Sequence, residues 1–525
     1  MFLFLLDHLL EMKTNHWDIA IRELTAKTLN KLTYRNPEFM AKTVLTKLFE
    51  KTDSIDVNLR HGSILSIGEI ILALSQLNGS WITQSILDNL NNLIVKLTTR
   101  EQFRGMSGEL MKQCCLDLIS NCSKAKSQIN PECIESWQML IDKCIVSKTS
   151  RIRELAVMAL GDLCHNYYGG TESVESNAAV LQNYLRGSNN DLEEHVRMGF
   201  VLAIGALPKW MILPSVNEII AKLIELALVP NEKAVRDAGL NTIILIWSEA
   251  RRDSIKALGS VIQTIGFENV TQDDLGKVFA CLLKALEEYT IDNRGDIGAW
   301  VREASMHGLH QLLVNCPVGR LQPGEVHDVM AGLAQQSVEK IDRTRGLAGK
   351  LFYNLVNHSP KIPHIQRHEF LCEVFPADGA KILWLFADHT FPLFCRMLEL
   401  PEYSEKLLIG LCGSIGQLTE SLIKYASASF LDFLKRHQNE IPRISEEILK
   451  IFRNNLYHDR ITYPMLNFLD MVLSSGTFML VLEDENSQFA EEVFRLINLE
   501  IKGHKKLYKI VSSINVMCQL IQVNI

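Results

Sequence analysis

The sequence has few of the residues that break helices and almost none of the alternation that is typical of strands. It contains 14 prolines and 29 glycines in 525 residues. Alternating runs of Val, Thr and Tyr are nearly absent, which excludes a predominantly β fold. A chain of this length also exceeds the size of one compact hydrophobic core. It must therefore form several domains or an extended array of repeats.

Targeting and membrane signals are also missing. No stretch approaches the roughly 18–20 apolar residues of a membrane-spanning helix. Residues 1–7 lack the basic region and cleavage site of a secretory signal. The twelve cysteines are therefore predicted to be reduced, mostly buried thiols of a cytoplasmic protein. A net charge of −7 argues against a general nucleic-acid groove.

The motifs of catalysis and cofactor binding are lacking as well. Residues 346–350 (GLAGK) do not have the spacing of a phosphate-binding loop, and no Ser or Thr follows the lysine. Gly410, Gly413 and Gly416 are better explained as small residues on a helix face than as a dinucleotide site. His364 and His368 lie one helical turn apart, as zinc ligands can, but no HExxH motif or acidic partner accompanies them. We predict no catalytic residue, no metal and no cofactor.

What the sequence does contain is a repeated motif. A polar turn residue, an apolar residue and an arginine precede a run of small and apolar residues, beginning with Asp18 and Arg22. The arginines of this ladder are Arg22, Arg60, Arg153, Arg197, Arg236, Arg302 and Arg345, with a weaker copy at Arg104. Most spacings, such as 38 residues from Arg22 to Arg60 and 44 from Arg153 to Arg197, fit the roughly 40-residue period of HEAT and armadillo units.

These repeats predict an all-α fold, a HEAT/armadillo-type α-solenoid superhelix of roughly a dozen units. Each arginine follows the turn that starts the second helix of a hairpin, where it can bond an Asp or a carbonyl of the adjacent unit. Small residues behind it are predicted to let the helices approach closely. They are Ala26, Gly62, Ala156, Gly199, Ala238, Ala304 and Gly346.

The regularity of the spacing changes along the chain. Because 66 residues separate Arg236 from Arg302, we place a soft boundary near residue 250. Residues 1–250 are predicted to be HEAT/armadillo repeats and 251–525 a second helical-repeat domain. The chain opens on an apolar helix without a polar cap, so we expect a truncated chain or a missing N-terminal half.

A concave solenoid surface suits large protein ligands. Trp17, Arg294, Asp296 and Trp300 are the candidate partner-binding residues, because Trp and Arg are favoured interface anchors. The alternative is structural: each lies in a repeat turn, where a Trp can pack between units and an Arg can tie the ladder.

Five segments together resemble one family, the tubulin-folding cofactor D proteins. They are residues 17–24 (WDIAIREL), 60–65 (RHGSIL), 289–304 (YTIDNRGDIGAWVREA), 339–343 (EKIDR) and 410–421 (GLCGSIGQLTES). Each segment alone is HEAT-like, but five in the family's order are specific. The chain resembles the C-terminal half of these proteins.

The resemblance implies a tubulin-folding chaperone that binds β-tubulin after its release from the chaperonin. It implies tubulin-folding cofactors E and C and an Arf-like small GTPase as partners. Stimulation of tubulin GTP hydrolysis would occur only within the cofactor complex, so the chain itself is not expected to be an enzyme. A cytoplasmic location with association to microtubules or the cytoskeleton follows from the same resemblance.

Three alternatives remain open. An importin-like transport receptor shares the solenoid and the acidic balance, but no repeated Trp-x-x-x-Asn array is present. A phosphatase-type scaffold would have repeats of constant length, whereas the spacing here varies from 38 to 66 residues. A metal-dependent enzyme on a helical scaffold comes last, because a candidate ligand set is lacking.

Overall fold

The computed structural model describes residues 2–169, 174–190, 192–230, 246–378, 381–416, 420–484, 487–502 and 506–523. The chain divides into two compact units, Met1–Asp274 and Leu275–Ile525. The predicted boundary near residue 250 lies inside a helix of the first unit, Ser248–Ile265.

The first unit is built entirely of helices in its described part. They are α1 (Phe2–His8), α2 (Ile19–Thr33), α3 (Pro37–Phe39), α4 (Leu45–Lys51), α5 (Val57–Ser75), α6 (Gln84–Thr99), α7 (Gly108–Lys124), α8 (Pro131–Ile145), α9 (Ser150–Tyr167), α10 (Val174–Gly187), α11 (Glu194–Ala206), α12 (Lys209–Ile212), α13 (Val216–Ala227) and α14 (Ser248–Ile265). Short π-helical turns at Leu9–Lys13 and Met40–Val44, and 3₁₀ turns at Leu213–Ser215 and Phe267–Asn269, join some of them.

Helices α2, α5, α7, α9, α11 and α14 pack side by side in that order and form the inner row of the first unit. They run parallel, because their corresponding ends meet. The Asn30 side chain near the end of α2 bonds Glu69 near the end of α5. The carboxylate of Glu194 at the start of α11 accepts the backbone N–H of Ala250 at the start of α14. The beginnings of all six helices therefore lie along one edge of the unit.

Polar residues fix where these helices begin. The Asp18 carboxylate accepts the Ala20 N–H at 2.9 Å, and the Asp56 carboxylate accepts the Asn58 N–H at the same distance. Such N-caps satisfy backbone donors that have no partner within the helix. The apolar side chains that follow are buried between neighbouring helices, as in α5, which packs between α2 and α7.

The described residues of the second unit are also helical, apart from one short hairpin and the connecting turns. It contains α15 (Gln272–Ala285, which begins within the first unit's last residues), β1 (Ile291–Asp292), β2 (Gly295–Asp296), α16 (Gly298–Asn315), α17 (Pro323–Gln336), α18 (Asp342–Val356), α19 (His368–Val374), α20 (Ala387–Arg396), α21 (Pro401–Ile415), α22 (Glu420–Arg436), α23 (Ile441–Asn454), α24 (Asp459–Ser474), α25 (Met479–Leu482), α26 (Phe489–Ile501) and α27 (Leu507–Val523). Turns of 3₁₀ helix lie at Val318–Arg320, Met397–Glu399 and Gln438–Glu440.

Stacking continues within this second unit. Helices α17, α21, α24 and α27 contact one another in succession, and α16 packs against α18. The two strands pair antiparallel, with Ile291 opposite Asp296. The all-α fold of stacked helical hairpins predicted from the sequence is confirmed within each unit.

One expectation about composition needs correction. Helix α5 is long and apolar enough to cross a membrane by length and hydropathy, although no such stretch was expected. Most of it, 72% of the apolar window, is buried inside the protein, and it carries the buried Arg60 and His61. A pair formed by Glu194–Ala206 and Lys209–Ala227 also passes when joined, but it bends by 111°.

The cysteines agree with the sequence prediction. All twelve are free thiols, and ten are buried. Burial raises the pKa of thiols such as Cys144 and Cys281 to about 12, so they remain protonated and poorly reactive at neutral pH.

Candidate partner-binding surface

The ladder arginines Arg22, Arg60, Arg153 and Arg197 occupy the fourth position of α2, α5, α9 and α11 and bond the turn that precedes the helix. Nη1 of Arg60 donates to the carbonyls of Ser54 and Ile55 at 2.6 and 3.0 Å. Nη1 of Arg153 donates to the carbonyls of Ser147 and Lys148 at 2.7 and 2.9 Å. Each of these arginines therefore bonds carbonyls of its own turn, whereas the sequence predicted bonds to an Asp or a carbonyl of the adjacent unit.

Arg22 makes both kinds of bond. Its Nη1 donates to the carbonyl of Trp17 at 3.0 Å within its own turn. It also reaches the next hairpin, where Nη1 bonds Oδ1 of Asn58 and Nε donates to Nδ1 of His61 at 3.1 Å. Burial lowers the pKa of His61 to about 3, and the charge of Arg22 acts in the same direction. The imidazole therefore stays neutral and accepts the bond.

The structure also changes the membership of the ladder. Arg251 holds the fourth position of α14 and is buried, but it was missed in the sequence. Its signal was present in residues 248–255 (SEARRDSI), which follow the same pattern as the copy around Arg153. Arg104 is not a ladder residue, because it is exposed before α7 and pairs with Glu101. Arg236 and Ala238 lie outside the described residues.

The turns that precede the inner-row helices expose large apolar side chains at a recurring position. The residue before the N-cap of each inner-row helix forms what we call the turn edge: Trp17, Ile55, Met106, Lys148, Leu192 and Ile246. Five of the six are large and apolar, with exposed fractions of 78% for Trp17, 96% for Ile55, 98% for Met106, 74% for Leu192 and 39% for Ile246. A single exposed apolar residue is ordinary, but recurrence at one structural position indicates a binding surface.

Three turns of the edge share one hydrogen-bonding geometry. Nη1 of Arg22, Arg60 and Arg153 donates to the carbonyls of Trp17, Ile55 and Lys148, respectively. The Trp17 side chain is 78% exposed. It is therefore not packed between units, which was the structural alternative for this residue.

The other predicted partner-binding residues lie at the hairpin of the second unit. Arg294 is exposed and pairs with Asp292 at 2.8 Å. Its guanidinium also lies 5.1 Å from the centre of the half-buried Trp300 ring, a cation–π contact. The hydrogen bond from Arg294 lowers the pKa of Asp292. Arg294 and Trp300 thus form one exposed patch.

Asp296 belongs to the interior instead. Its carboxylate accepts from Nη1 and Nη2 of the fully buried Arg302 at 3.2 and 3.1 Å. Arg302 also donates to the carbonyl of Glu288 and to Gln336. Its guanidinium lies 4.2 Å from the centre of the Tyr289 ring. Asp296 therefore anchors the hairpin to α16.

The last ladder residue, Arg345, is fully buried at the start of α18. It bonds the carbonyl of Glu339 at 3.2 Å and Oδ1 of Asp342 at 2.6 Å. The pattern of an arginine closing its own turn thus occurs in both units.

Small residues behind the arginines do mark close contacts. A Cβ on Gly62 would lie 2.0 Å from the carbonyl oxygen of Thr14, and one on Gly199 would lie 1.9 Å from that of Ile145. The three glycines in and just after α21 differ. Gly410 and Gly416 contact neighbouring backbone, whereas Gly413 faces open space.

The candidate zinc ligands do not assemble into a site. His368 Nε2 lies 2.9 Å from the carbonyl oxygen of Val356, and its Nδ1 lies 3.6 Å from the Cys372 sulfur. Within the described ranges no group of three or more His, Cys, Asp or Glu side chains is arranged to hold a metal ion.

Several solved structures are similar to this chain at low identity. Importin β, crystallised in a polyethylene glycol condition, is 10% identical, with a TM-score of 0.47 over 99% of this chain and 65% of that chain. The karyopherin Kap121p is 12% identical, with a TM-score of 0.40 over 99% and 49%.

Sequence comparison gives a more specific result. The family model described as "Tubulin folding cofactor D C terminal" matches residues 327–509. Tubulin-specific chaperone D of Dictyostelium discoideum is 21% identical over 97% of this chain and 42% of its own length. Tubulin-folding cofactor D of Schizosaccharomyces pombe is 37% identical over 68 residues, which are 13% of this chain and 6% of that protein.

The chain spans about two fifths of the length of the Dictyostelium relative. The match to the C-terminal family model extends across α17 to the start of α27. These findings confirm the resemblance identified in the sequence: the chain is similar to the tubulin-folding cofactor D proteins.

Proposed function

We propose that this chain is a tubulin-folding cofactor that binds β-tubulin through the turn edge of its first unit. The observation that most strongly supports this proposal is the row of exposed apolar side chains at Trp17, Ile55, Met106, Leu192 and Ile246. Stacked helices place these side chains at intervals of about 10 Å, so one large partner can contact several of them. Apolar anchors of this kind supply most of the free energy of protein interfaces.

The mechanism is binding without chemistry in the chain itself. A partner surface covered by the turn edge is shielded from water and from other proteins until release. Tubulin-folding cofactors E and C, and an Arf-like small GTPase, are the proposed further partners, and stimulation of tubulin GTP hydrolysis occurs only in that complex. Tubulin is released when GTP hydrolysis changes its affinity for the chain, because the chain binds the GTP and GDP states of tubulin with different affinities. The proposed location is the cytoplasm, with microtubule or cytoskeletal association.

The test is a pull-down of purified tubulin heterodimer by the wild-type chain, with cofactor E in a parallel lane. A triple variant, Trp17→Ser, Ile55→Ser and Leu192→Ser, removes three anchors of the turn edge. The matched control, Val95→Ser, Met139→Ser and Met158→Ser, removes three apolar side chains of the same unit that are also exposed but lie on other helix positions.

We expect the wild type and the control to capture β-tubulin and the edge variant to lose at least tenfold in affinity. Circular dichroism must show equal helicity for all three. Equal capture of β-tubulin by both variants would show that the turn edge is not the binding surface. If the folded wild type captured no β-tubulin, the proposal that this chain binds tubulin would be rejected.

A further inference from the structure

Helix α27 carries a continuous apolar stripe on its exposed face. The stripe consists of Leu507, Val511, Ile514, Cys518 and Ile521, whose spacing is four, three, four and three residues. All five side chains are exposed, with 73% for Leu507 and 52% for Ile514. Such 4-3 spacing is the seam pattern of helices that pair as a coiled coil.

The opposite face of α27 is already used inside the unit. Lys509, Ser512, Ser513, Val516 and Leu520 are buried, and the helix packs against α24 and α26. The helix therefore has one face buried in the second unit and a separate exposed apolar stripe, which the core of the unit does not explain. A line of exposed apolar residues marks an interaction surface more often than an isolated one does.

The stripe is also free of charge. The exposed residues beside it are Tyr508, Asn515 and Gln522. The one charged residue of α27, Lys509, is buried and bonds Glu500 and Asp459. A partner helix with charged flanks would gain no ion pair here, whereas two copies of this surface meet without like-charge repulsion.

The stripe is symmetric about its centre. An antiparallel second copy, related by a two-fold axis at Ile514, places Leu507 against Ile521 and Val511 against Cys518. These pairs are apolar and similar in size, as an isologous contact requires. We propose that α27 is a self-association surface on which α27 of a second copy of the chain docks antiparallel. This inference is independent of tubulin binding.

The contact is short. A 17-residue helix is about 25 Å long, so the pair buries less than a standard interface and the dimer is weak. Dissociation constants in the range of about 1–100 µM are expected for contacts of this size.

The test uses the full chain in sedimentation equilibrium from about 1 to 100 µM. Wild type should show a monomer–dimer equilibrium. Ile514→Lys and Ile514→Glu, which place like charges across the two-fold axis, should each be monomeric, and an equimolar mixture should recover dimer. Met139→Lys, at an exposed apolar residue of the first unit, is the control and should dimerise as wild type. A monomeric wild type, or a mixture that stays monomeric, overturns the proposal.

A second measurement fixes the direction of pairing. In the antiparallel arrangement a cysteine introduced by Val511→Cys faces Cys518 of the other copy. Oxidation should therefore cross-link this variant at least tenfold faster than wild type. Rapid cross-linking of wild type through Cys518 alone would mean parallel pairing and would overturn the antiparallel arrangement.

Discussion

Arg22 and His61 show how a buried cation is accommodated at the start of the inner row. Nε of Arg22 donates to Nδ1 of His61, and its Nη1 bonds backbone carbonyls and Asn58. The bond to His61 requires an imidazole without a proton on Nδ1. Burial lowers the pKa of His61 far below the ordinary value of about 6.5, and the nearby positive charge of Arg22 lowers it further.

Folding stability should therefore depend on pH through His61. Because its pKa is lower in the folded chain, its contribution is fully present above about pH 6.5 and is lost as the pH falls toward 3. The loss amounts to about 1.4 kcal/mol per pH unit, or about 2 kcal/mol at pH 5. His61→Asn keeps an acceptor near Nδ1 but does not titrate, so its melting temperature should fall less than that of wild type between pH 7.5 and 5.

The comparison must be between variant and wild type at each pH. Burial raises the pKa of Asp117 to about 6, which makes its contribution change in the opposite direction over the same pH range. Equal pH dependence in the two proteins would show that His61 is not held neutral.

Two glycines of α21 offer a second test at the scale of a residue. A Cβ on Gly410 would lie 2.5 Å from the carbonyl oxygen of Gln335, whereas one on Gly413 meets nothing within 4 Å. Gly410→Ala should therefore lower the free energy of unfolding by about 1–3 kcal/mol through overpacking. Gly413→Ala should raise it by up to about 1 kcal/mol, because alanine favours the helix.

Urea denaturation of the two variants measures both effects. Both variants replace a glycine of the same helix by alanine, so helix propensity contributes equally to their stabilities. The difference in the free energy of unfolding between them therefore reports the packing at Gly410. A Gly410→Ala protein as stable as Gly413→Ala would mean that α17 and α21 are not in close contact.

At the scale of an element, α27 is held to the second unit by a buried ion pair. Lys509 and Glu500 are both fully buried and bond each other, and Lys509 also bonds Asp459 at 2.7 Å. Hydrogen bonds from Lys506 and from Lys509 lower the pKa of Asp459 to about 2. Since Glu500 has no solvent to replace a lost partner, its lysine is needed to keep α27 in place.

Lys509→Met should destabilise the second unit by about 3–5 kcal/mol, because it leaves a buried carboxylate unpaired. Hydrogen exchange should rise in α27 and in its neighbours α24 and α26. Lys506→Met is the matched control: it also removes a partner of Asp459, but its side chain is half exposed, so the effect should stay below about 1 kcal/mol. Equal losses of stability in Lys509→Met and Lys506→Met would contradict the argument that burial makes the loss of Lys509 more costly.

Sequence reasoning located most inner-row helices because the arginine and the small residue behind it have strict packing roles. It did not identify the hairpin Ile291–Asp296, whose strands are only two residues each and carry no alternation. Nor did it find the turn edge, because residue type alone does not show which apolar residues of the turns face solvent. Arg251 was missed because Arg236 was interpreted as the next copy, and the 66 residues from Arg236 to Arg302 were interpreted as a domain boundary.

At the scale of the whole molecule, stacked hairpins contact mainly their neighbours. Destabilisation should therefore remain local. In Gly199→Ala the new Cβ would lie 1.9 Å from the carbonyl oxygen of Ile145, so hydrogen exchange should increase in α8, α9 and α11 and stay unchanged in α21 to α27. Gly259→Ala, where a Cβ meets nothing within 4 Å, is the control. Increased exchange throughout both units would show that the chain unfolds as one cooperative body.

The way Arg60 and Arg153 bond their own turns has a consequence for how such a protein changes length over evolution. In each of these hairpins the arginine bonds carbonyls of its own turn, so these bonds do not depend on which hairpin precedes or follows. Duplication or in-frame loss of one hairpin therefore leaves the bonds of the remaining hairpins intact. Only the two helix faces that are newly brought into contact must then adapt by mutation, which makes the number of repeats one of the easiest properties of this chain to alter.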